Sequence, residues 1–496
     1  MYEHARNWVE MLLGTKELNK RFIAMPETQD LRHFGGGVTT VKVWTGRGSR
    51  DMMRQFMPIA VDAQAPPDFA RMVRSLLDFS YLAHSAQLLD IELTEMDRLL
   101  AVFHQTKRAV VDAKLVQRLG AFDRLAKLHM LSHYTYDIRE LGVPDGYSTE
   151  TPEHLHIVYV KIPWRMSNWR DPLPQMEALV ARTEAIRMQR TVIDECYGKQ
   201  EGTDDAEIRR FAAIDRAGMH ADGDLNAGVD SDMEREEVGD DGDDTEVEGN
   251  QEPSTRSGNI HYPRPVISVA RQPTARRVPA HVLMGQYGAS DVARAISLFI
   301  STISPSDPSL HDLSPLLPSD RFNVWHKAVL KHVPLPFAPA QPCHRDMIRA
   351  QPPVHDNAGR VTKPGVFDTA LFSCDPVAFG LNRYRAGRVR AIFTLPSRLH
   401  HVHSGPLVFL DFFKPFESNP TSTHGLHRTM PLDSGSCASL VLPLGWLGMS
   451  CHLAPDFSSP PSPTTIRQRF LFNDFHNHFT YLLMAYWRHV DPAQRH

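Results

Sequence analysis

Residues 145–156 read Asp145-Gly146-Tyr147-Ser148-Thr149-Glu150-Thr151-Pro152-Glu153-His154-Leu155-His156. Asp145-Gly146 is a turn signal. Glu150 and Glu153 follow it three residues apart, a spacing that puts both on one face of a helix. Just upstream runs Lys127-Leu128-His129-Met130-Leu131-Ser132-His133-Tyr134, and just downstream Lys161-Ile162-Pro163-Trp164-Arg165-Met166-Ser167-Asn168. Two readings stay open on this spacing. In one, Glu150 and Glu153 hold divalent cations for phosphoryl transfer, Mg²⁺ taking few carboxylates plus water. In the other, Ser148 or Thr151 caps a helix whose first turn carries Glu153, where the helix dipole favours an acid. Leu155–Val160 suits a strand by propensity. Thr151-Pro152 ahead of it favours a helix start, and we expect helix.

Working outward, the chain has 496 residues, enough for about two to four domains. Its hydrophobic fraction of 42% permits real cores. A formal net charge of −4 gives no global basic field, so any nucleic-acid contact must come from local patches. Cys196, Cys343, Cys374, Cys437 and Cys451 are scattered without a CxxC pair, which argues against a disulfide framework or zinc ribbon and for a reducing compartment. The start Met1-Tyr2-Glu3-His4 lacks a signal-like apolar stretch. No apolar run approaches the ~20 residues of a spanning helix. We expect a soluble, intracellular protein with no membrane partner.

Three parts separate by composition. Residues 1–196 read mainly helical: Phe69, Met72, Val73, Leu76, Leu77 and Leu82 recur at helical spacing. Thr94 with Asp97 marks the expected start of a second helix, lined by Met96, Leu99, Leu100, Phe103 and Val110. A third, over 172–195, carries Met176, Leu179, Val180, Ile186 and Ile193. Residues 197–258 are acidic and poor in apolar residues, and we expect a disordered linker. Residues 259–496 hold short β-rich runs, Arg388–Leu395, Leu407–Phe413 and Ser439–Leu442, separated by turn residues. These predict a small, mainly antiparallel β domain closed by an aromatic segment over 465–487. The fold class expected is therefore α+β.

Other candidates for chemistry are weaker. His129 and His133 are four apart and would share a helix face, with Glu153, His154 or His156 as a third zinc ligand; hydrogen-bonded histidines would look the same. His400, His401 and His403 read as surface residues. Arginines without acids run from Arg256 to Arg277. Arg383-Tyr384-Arg385-Ala386-Gly387-Arg388-Val389-Arg390 interleaves cations with an aromatic, which suits phosphate contact and base stacking or a solvated strand face. Lys161, Arg165 and Arg170, with Trp164, make a further basic patch. Gly35-Gly36-Gly37 lacks the Lys-Ser/Thr of a phosphate loop. Cys196 has no base beside it in sequence.

The 145–156 string resembles the transposases of Plavaka elements, fungal cut-and-paste DNA transposons of the Kyakuja–Dileera–Zisupton group. The likeness extends over Phe22–Met25, Leu31–Phe34, Val43–Gly46, the helical block 69–110, Lys127–Tyr134 and a Lys-x-x-x-Arg-x-Ser-Asn pattern at Lys161, Arg165, Ser167 and Asn168. It resumes more weakly at Phe367–Ala370, Arg388–Phe393, Phe412–Phe416 and Ser450–Leu453. The resemblance implies that residues 1–196 are the remnant of an RNase H-like core with a helical insertion. It also implies that Glu150 or Glu153, with Glu150 favoured as metal ligand, matches the final acid of a DDE triad. The two aspartates lie upstream in that family, and Met1–His4 looks like the tail of the second aspartate's segment. The expectation is a truncated, catalytically inactive, transposase-derived protein. It would bind no cofactor (Mg²⁺ only if active) and no small-molecule substrate. It would be nuclear if functional, with residual DNA binding through Lys161, Arg165, Arg170, Arg383, Arg385, Arg388 and Arg390. The alternatives are an active transposase whose N-terminus is missing and a domesticated DNA-binding or interaction protein.

Overall fold

The computed structural model describes residues 2–62, 65–116, 126–149, 152, 155–197, 246–248, 264–303, 316–356, 358–432, 438–458 and 468–490. The chain is α+β, with helices mainly in the N-terminal part and antiparallel sheets in the C-terminal part. Its compact units do not follow the boundaries at 196 and 258. Met1–Val143 and Asp241–His496 make one unit, and Pro144–Asp240 makes the other.

In the larger unit the chain begins with α1 (Tyr2–Leu13), α2 (Thr15–Ile23), α3 (Gly46–Ala60), α4 (Pro67–Ala83), α5 (Asp90–Thr106) and α6 (Tyr134–Leu141). Thr45 caps α3 by accepting the Gly48 N–H at 3.0 Å, and α4 opens on Pro67, whose missing N–H costs nothing there. The helical face read from 69–82 is buried: Phe69, Met72, Val73, Leu76, Leu77 and Leu82 all lie in the core. The next helix starts at Asp90, four residues before the Thr94 expected. The Glu92 carboxylate accepts the Leu89 N–H at 2.7 Å and supplies the start. Asp97 instead accepts the Thr135 hydroxyl at 2.9 Å and ties α5 to α6.

The smaller unit holds a 3₁₀ turn at Pro144–Tyr147, a π-helical turn at Ile157–Lys161 that runs into a helix at Ile162–Met166, and α7 (Pro172–Tyr197). The stretch 155–160 is thus helical, as the Thr-Pro start suggested. The apolar residues of α7 do not form a buried face: Met176, Leu179 and Val180 are half-buried, and Ile186 and Ile193 are exposed. Apart from Tyr197, the last residue of α7, and Glu246–Glu248, which pair as an antiparallel edge strand, the linker reading over 197–258 falls outside the described residues.

The C-terminal strands are β1 (Val266–Ala270), β2 (Ala275–Pro279), β3 (Arg321–Trp325), β4 (Lys327–His332), β5 (His344–Gln351), β6 (Thr369–Ser373), β7 (Tyr384–Thr394), β8 (Leu407–Phe412), β9 (Ser439–Pro443), β10 (Leu447–Ser450), β11 (Leu453–Pro455) and β12 (Phe470–Phe472); α8 spans Val292–Ile303 and α9 His478–Val490. One sheet runs β1-β4-β5, extended by Glu246–Glu248 beyond β1 and by Val366–Phe367 beyond β5. The other runs β9-β8-β7-β6-β10. The far half of β7 pairs with β3, which in turn pairs with β2.

The second sheet is covered on both faces. Val389, Ile392, Val408 and Leu410 pack toward Ala328, Leu330, Ile348 and Ala350 of the first sheet. Ala391, Phe393 and Phe409 pack with Phe299 and Ile300 of α8. That is why Leu407-Val408-Phe409-Leu410 is an uninterrupted apolar run and not an alternating one. The closing aromatic segment packs beyond the β layers. Phe475, Tyr481 and Leu483 share one core with Phe56, Phe69 and Leu77 of the N-terminal helices. The C-terminal half is therefore no small separate domain; its end completes the N-terminal core.

Candidate nucleic-acid interface

Glu150 and Glu153, the candidates for the final DDE acid, lie outside the described residues, as do Thr151 and His154. The Asp145-Gly146 signal is a tight turn as read. Downstream, the Lys-x-x-x-Arg-x-Ser-Asn pattern resolves into a built loop. Ser167 donates its hydroxyl to the Trp164 carbonyl at 2.8 Å, and its oxygen accepts the Trp169 N–H at 3.3 Å. Asn168 accepts the Arg170 N–H at 3.0 Å. Gln175, one turn into α7, accepts the Asn168 N–H at 3.1 Å and donates to Asn168 Oδ1, the Arg170 carbonyl and the Asp171 carbonyl. These bonds hold Trp169 at φ 60° and Asp171 at φ 48°, a region that a bulky residue enters only when its surroundings impose it.

The loop displays what it holds. Trp164 is 48% and Trp169 69% exposed, and Lys161, Arg165 and Arg170 are exposed beside them. Trp169 and Gln175 did not stand out in the sequence. The signal that could have found them is an aromatic next to arginine straight after Ser-Asn, with a glutamine inside the following helix turn.

Arg383, in the turn before β7, and the arginines of β7 are engaged differently. Arg383 donates to Ser373 Oγ at 3.2 Å and to the Pro376 carbonyl at 2.9 Å. Arg385 donates to the Phe413 carbonyl at 2.8 Å, with its guanidinium 5.1 Å from the Phe412 ring. Arg388 lies 5.9 Å from the Phe413 ring, and burial lowers its pKa. Arg390 pairs with Asp411 at 2.6 Å and sits 5.2 Å from the Phe367 ring. Packing and ion pairing thus occupy the alternating cations.

His129 and His133 meet as their spacing predicts, with Nε2 atoms 3.3 Å apart. Among the described residues no three His, Cys, Asp or Glu side chains are arranged to hold a metal ion. Of the surface histidines expected, His400 bonds the Leu395 carbonyl at 2.7 Å and His403 packs edge-on against Phe299. Cys196, Cys343 and Cys374 are exposed free thiols and Cys451 is a buried one.

A buried polar cluster escaped the sequence reading. Asp346 accepts the Ser450 N–H at 2.9 Å and its hydroxyl at 2.8 Å, with His344 Nε2 at 2.9 Å and His332 Nε2 at 3.3 Å. Against strong desolvation, the His332 and His344 contacts hold its carboxyl well below the usual range. His476 Nε2 approaches Ser450 Oγ at 3.3 Å, a nucleophile–base geometry. Three bonds argue against that chemistry. The serine proton goes to Asp346, and His476 Nε2 accepts the Asn477 amide at 2.8 Å while Nδ1 donates to the Asn473 carbonyl at 2.9 Å. The adjoining cavity of about 20 Å³ has room for about one water and no organic substrate. The cluster is a buried polar core, in which His332 lies 3.3 Å from Asp346 without an aligned hydrogen bond at either ring nitrogen.

The chain matches no protein-family model, no curated protein and no solved structure. Among the described residues no helix is long and apolar enough to cross a membrane.

Proposed function

We propose that the chain is a DNA-binding protein of transposase descent that contacts nucleic acid through Lys161, Trp164, Arg165, Trp169 and Arg170. The observation that carries this reading is the loop at Ser167–Asp171. It keeps Trp169 exposed in an imposed backbone conformation with Arg170 beside it. A flat exposed ring suits stacking on unpaired bases, and the neighbouring cations suit phosphates. Preorganisation lowers the entropy cost of binding. Descent rests on the 145–156 string together with the Lys-x-x-x-Arg-x-Ser-Asn pattern, whose Ser and Asn build this loop. The reading contains no metal step.

Fluorescence anisotropy with labelled single-stranded and duplex DNA over a salt series tests it. Affinity should fall steeply with salt, and K161A/R165A/R170A should flatten the single-strand slope by about 2, given ~0.7 per phosphate contact. Trp169→Ala should weaken single-strand binding by about 1–3 kcal/mol. Absent or salt-insensitive binding would sink the reading.

A further inference from the structure

The larger unit contains a second basic feature, unrelated in sequence to the loop just described. A cavity of about 130 Å³ is lined by Lys414, Pro415, Glu417, Arg428, Thr429, Met430 and Arg469. On the same measure one water needs ~10–15 Å³, so the space holds a polyatomic ligand. The lining holds three cations, Lys414, Arg428 and Arg469, and one carboxylate, Glu417. We propose that this cavity binds a phosphate group.

The wall is built, not incidental. Lys414 N–H donates to the Met430 carbonyl at 2.8 Å, and Thr429 donates its hydroxyl to the Lys414 carbonyl at 2.6 Å. Glu417 N–H donates to the Arg428 carbonyl at 2.9 Å. Arg428–Thr429 pairs with β12, and β12 with β11, which sets Arg469 at the mouth of a three-stranded sheet. The carboxylate of Asp456, whose side chain is fully buried, accepts Arg428 Nε at 3.0 Å and fixes that guanidinium. Asp456 itself is held below the usual carboxylate range by bonds from Ser458 and by Arg428. Arg469 and Glu417 are exposed, and Lys414 is half-buried. Two guanidiniums and an ammonium, set against Glu417 and the Asp456 that Arg428 pairs with, leave the lining net positive and suit an oxyanion. That ligand is either a free phosphate or a phosphate of a nucleic-acid backbone.

Calorimetric titration of inorganic pyrophosphate into the full chain tests the proposal. The wild type should bind, K414A/R469A should lose affinity about tenfold or more, and K414R/R469K should keep most of it. Glu417→Gln should raise affinity severalfold, a gain that misfolding could not produce. No binding by the wild type, or equal binding by the wild type and K414A/R469A, overturns the proposal. A short labelled duplex that displaces pyrophosphate identifies a backbone phosphate, and pyrophosphate binding that survives excess duplex identifies a free one; both uphold the pocket. The signal is read as the difference between the wild type and K414A/R469A, so failure of the loop reading leaves this one standing.

Discussion

Arg74 sits inside the larger unit between two carboxylates. Its Nε donates to Asp78 at 2.9 Å, its Nη2 to Asp474 at 3.0 Å and its Nη1 to the His424 carbonyl at 3.2 Å, with the Phe475 ring 4.4 Å from its guanidinium. Arg488 also reaches Asp474, at 3.1 Å. Replacing Arg74 by Ala leaves Asp474 buried beside one remaining cation, and should cost about 3–5 kcal/mol in urea unfolding. Arg74→Lys should cost less, because it keeps the charge and loses the fork. Gly37, at φ 88°, faces Asn19, whose Cγ lies 2.4 Å from where a Cβ would stand. Gly37→Ala should lower stability by about 1–2 kcal/mol from the backbone alone. Arg74 did not announce itself in the sequence, and Gly37 stood out only as part of a Gly-Gly-Gly run. Arg74 and Asp474 are 400 positions apart, and no local pattern links them. The reverse holds for Arg390: alternation suggested a phosphate contact, and the fold supplies Asp411 instead.

At the scale of elements, periodicity was the reliable guide. The face of α4 and the strands β7, β8 and β9 stand where apolar spacing and turn residues put them. The partner of each face was not legible. An apolar run such as Leu407–Leu410 signals burial on both sides, yet nothing local says that α8 covers one face and β4 with β5 the other. Phe409, fully buried against α8, should cost about 3–5 kcal/mol as Phe409→Ala. The Ser167–Asp171 loop gives a contrasting expectation. Gln175→Ala removes three donated bonds from a surface loop, so the unfolding midpoint should move little while DNA affinity falls toward that of Trp169→Ala. A large stability loss with unchanged affinity would separate the loop from binding.

At the scale of the molecule, the two ends of the chain close one core. Arg54 of α3 donates to the His476 carbonyl at 2.6 Å, Asn473 donates to the Arg54 carbonyl at 2.9 Å, and Tyr481 donates to the Asp78 carbonyl at 3.1 Å. Tyr81 bonds the Phe475 carbonyl. Residues 1–143 expressed alone should therefore expose the faces that Phe475 and Tyr481 cover and should lack the near-ultraviolet dichroism of packed aromatics. The same closure makes the fold acid-sensitive. Burial lowers the pKa of His476, His478 and His424 to about 4, and of His452 to about 3. In the unfolded chain these imidazoles titrate near 6.5. Between the two values the unfolded chain binds more protons, so stability is full above about pH 6.5 and falls as pH drops toward 4. Asp346, depressed in the fold, extends the loss to lower pH. Urea midpoints from pH 7.5 down to 4.5 should decline steadily, and a flat profile would contradict the buried neutral histidines. The sequence by itself determined the α+β class, the positions of α4, α5 and α7 to within a few residues and those of β7, β8 and β9, because each depends on contacts within a few residues. Only the tertiary structure decided that residues 1–143 and the chain's last helix share a core, that the β7 arginines are engaged internally, and that Lys414, Arg428 and Arg469 ring one cavity. Those outcomes depend on desolvation and on partners far apart along the chain, which no local spacing encodes.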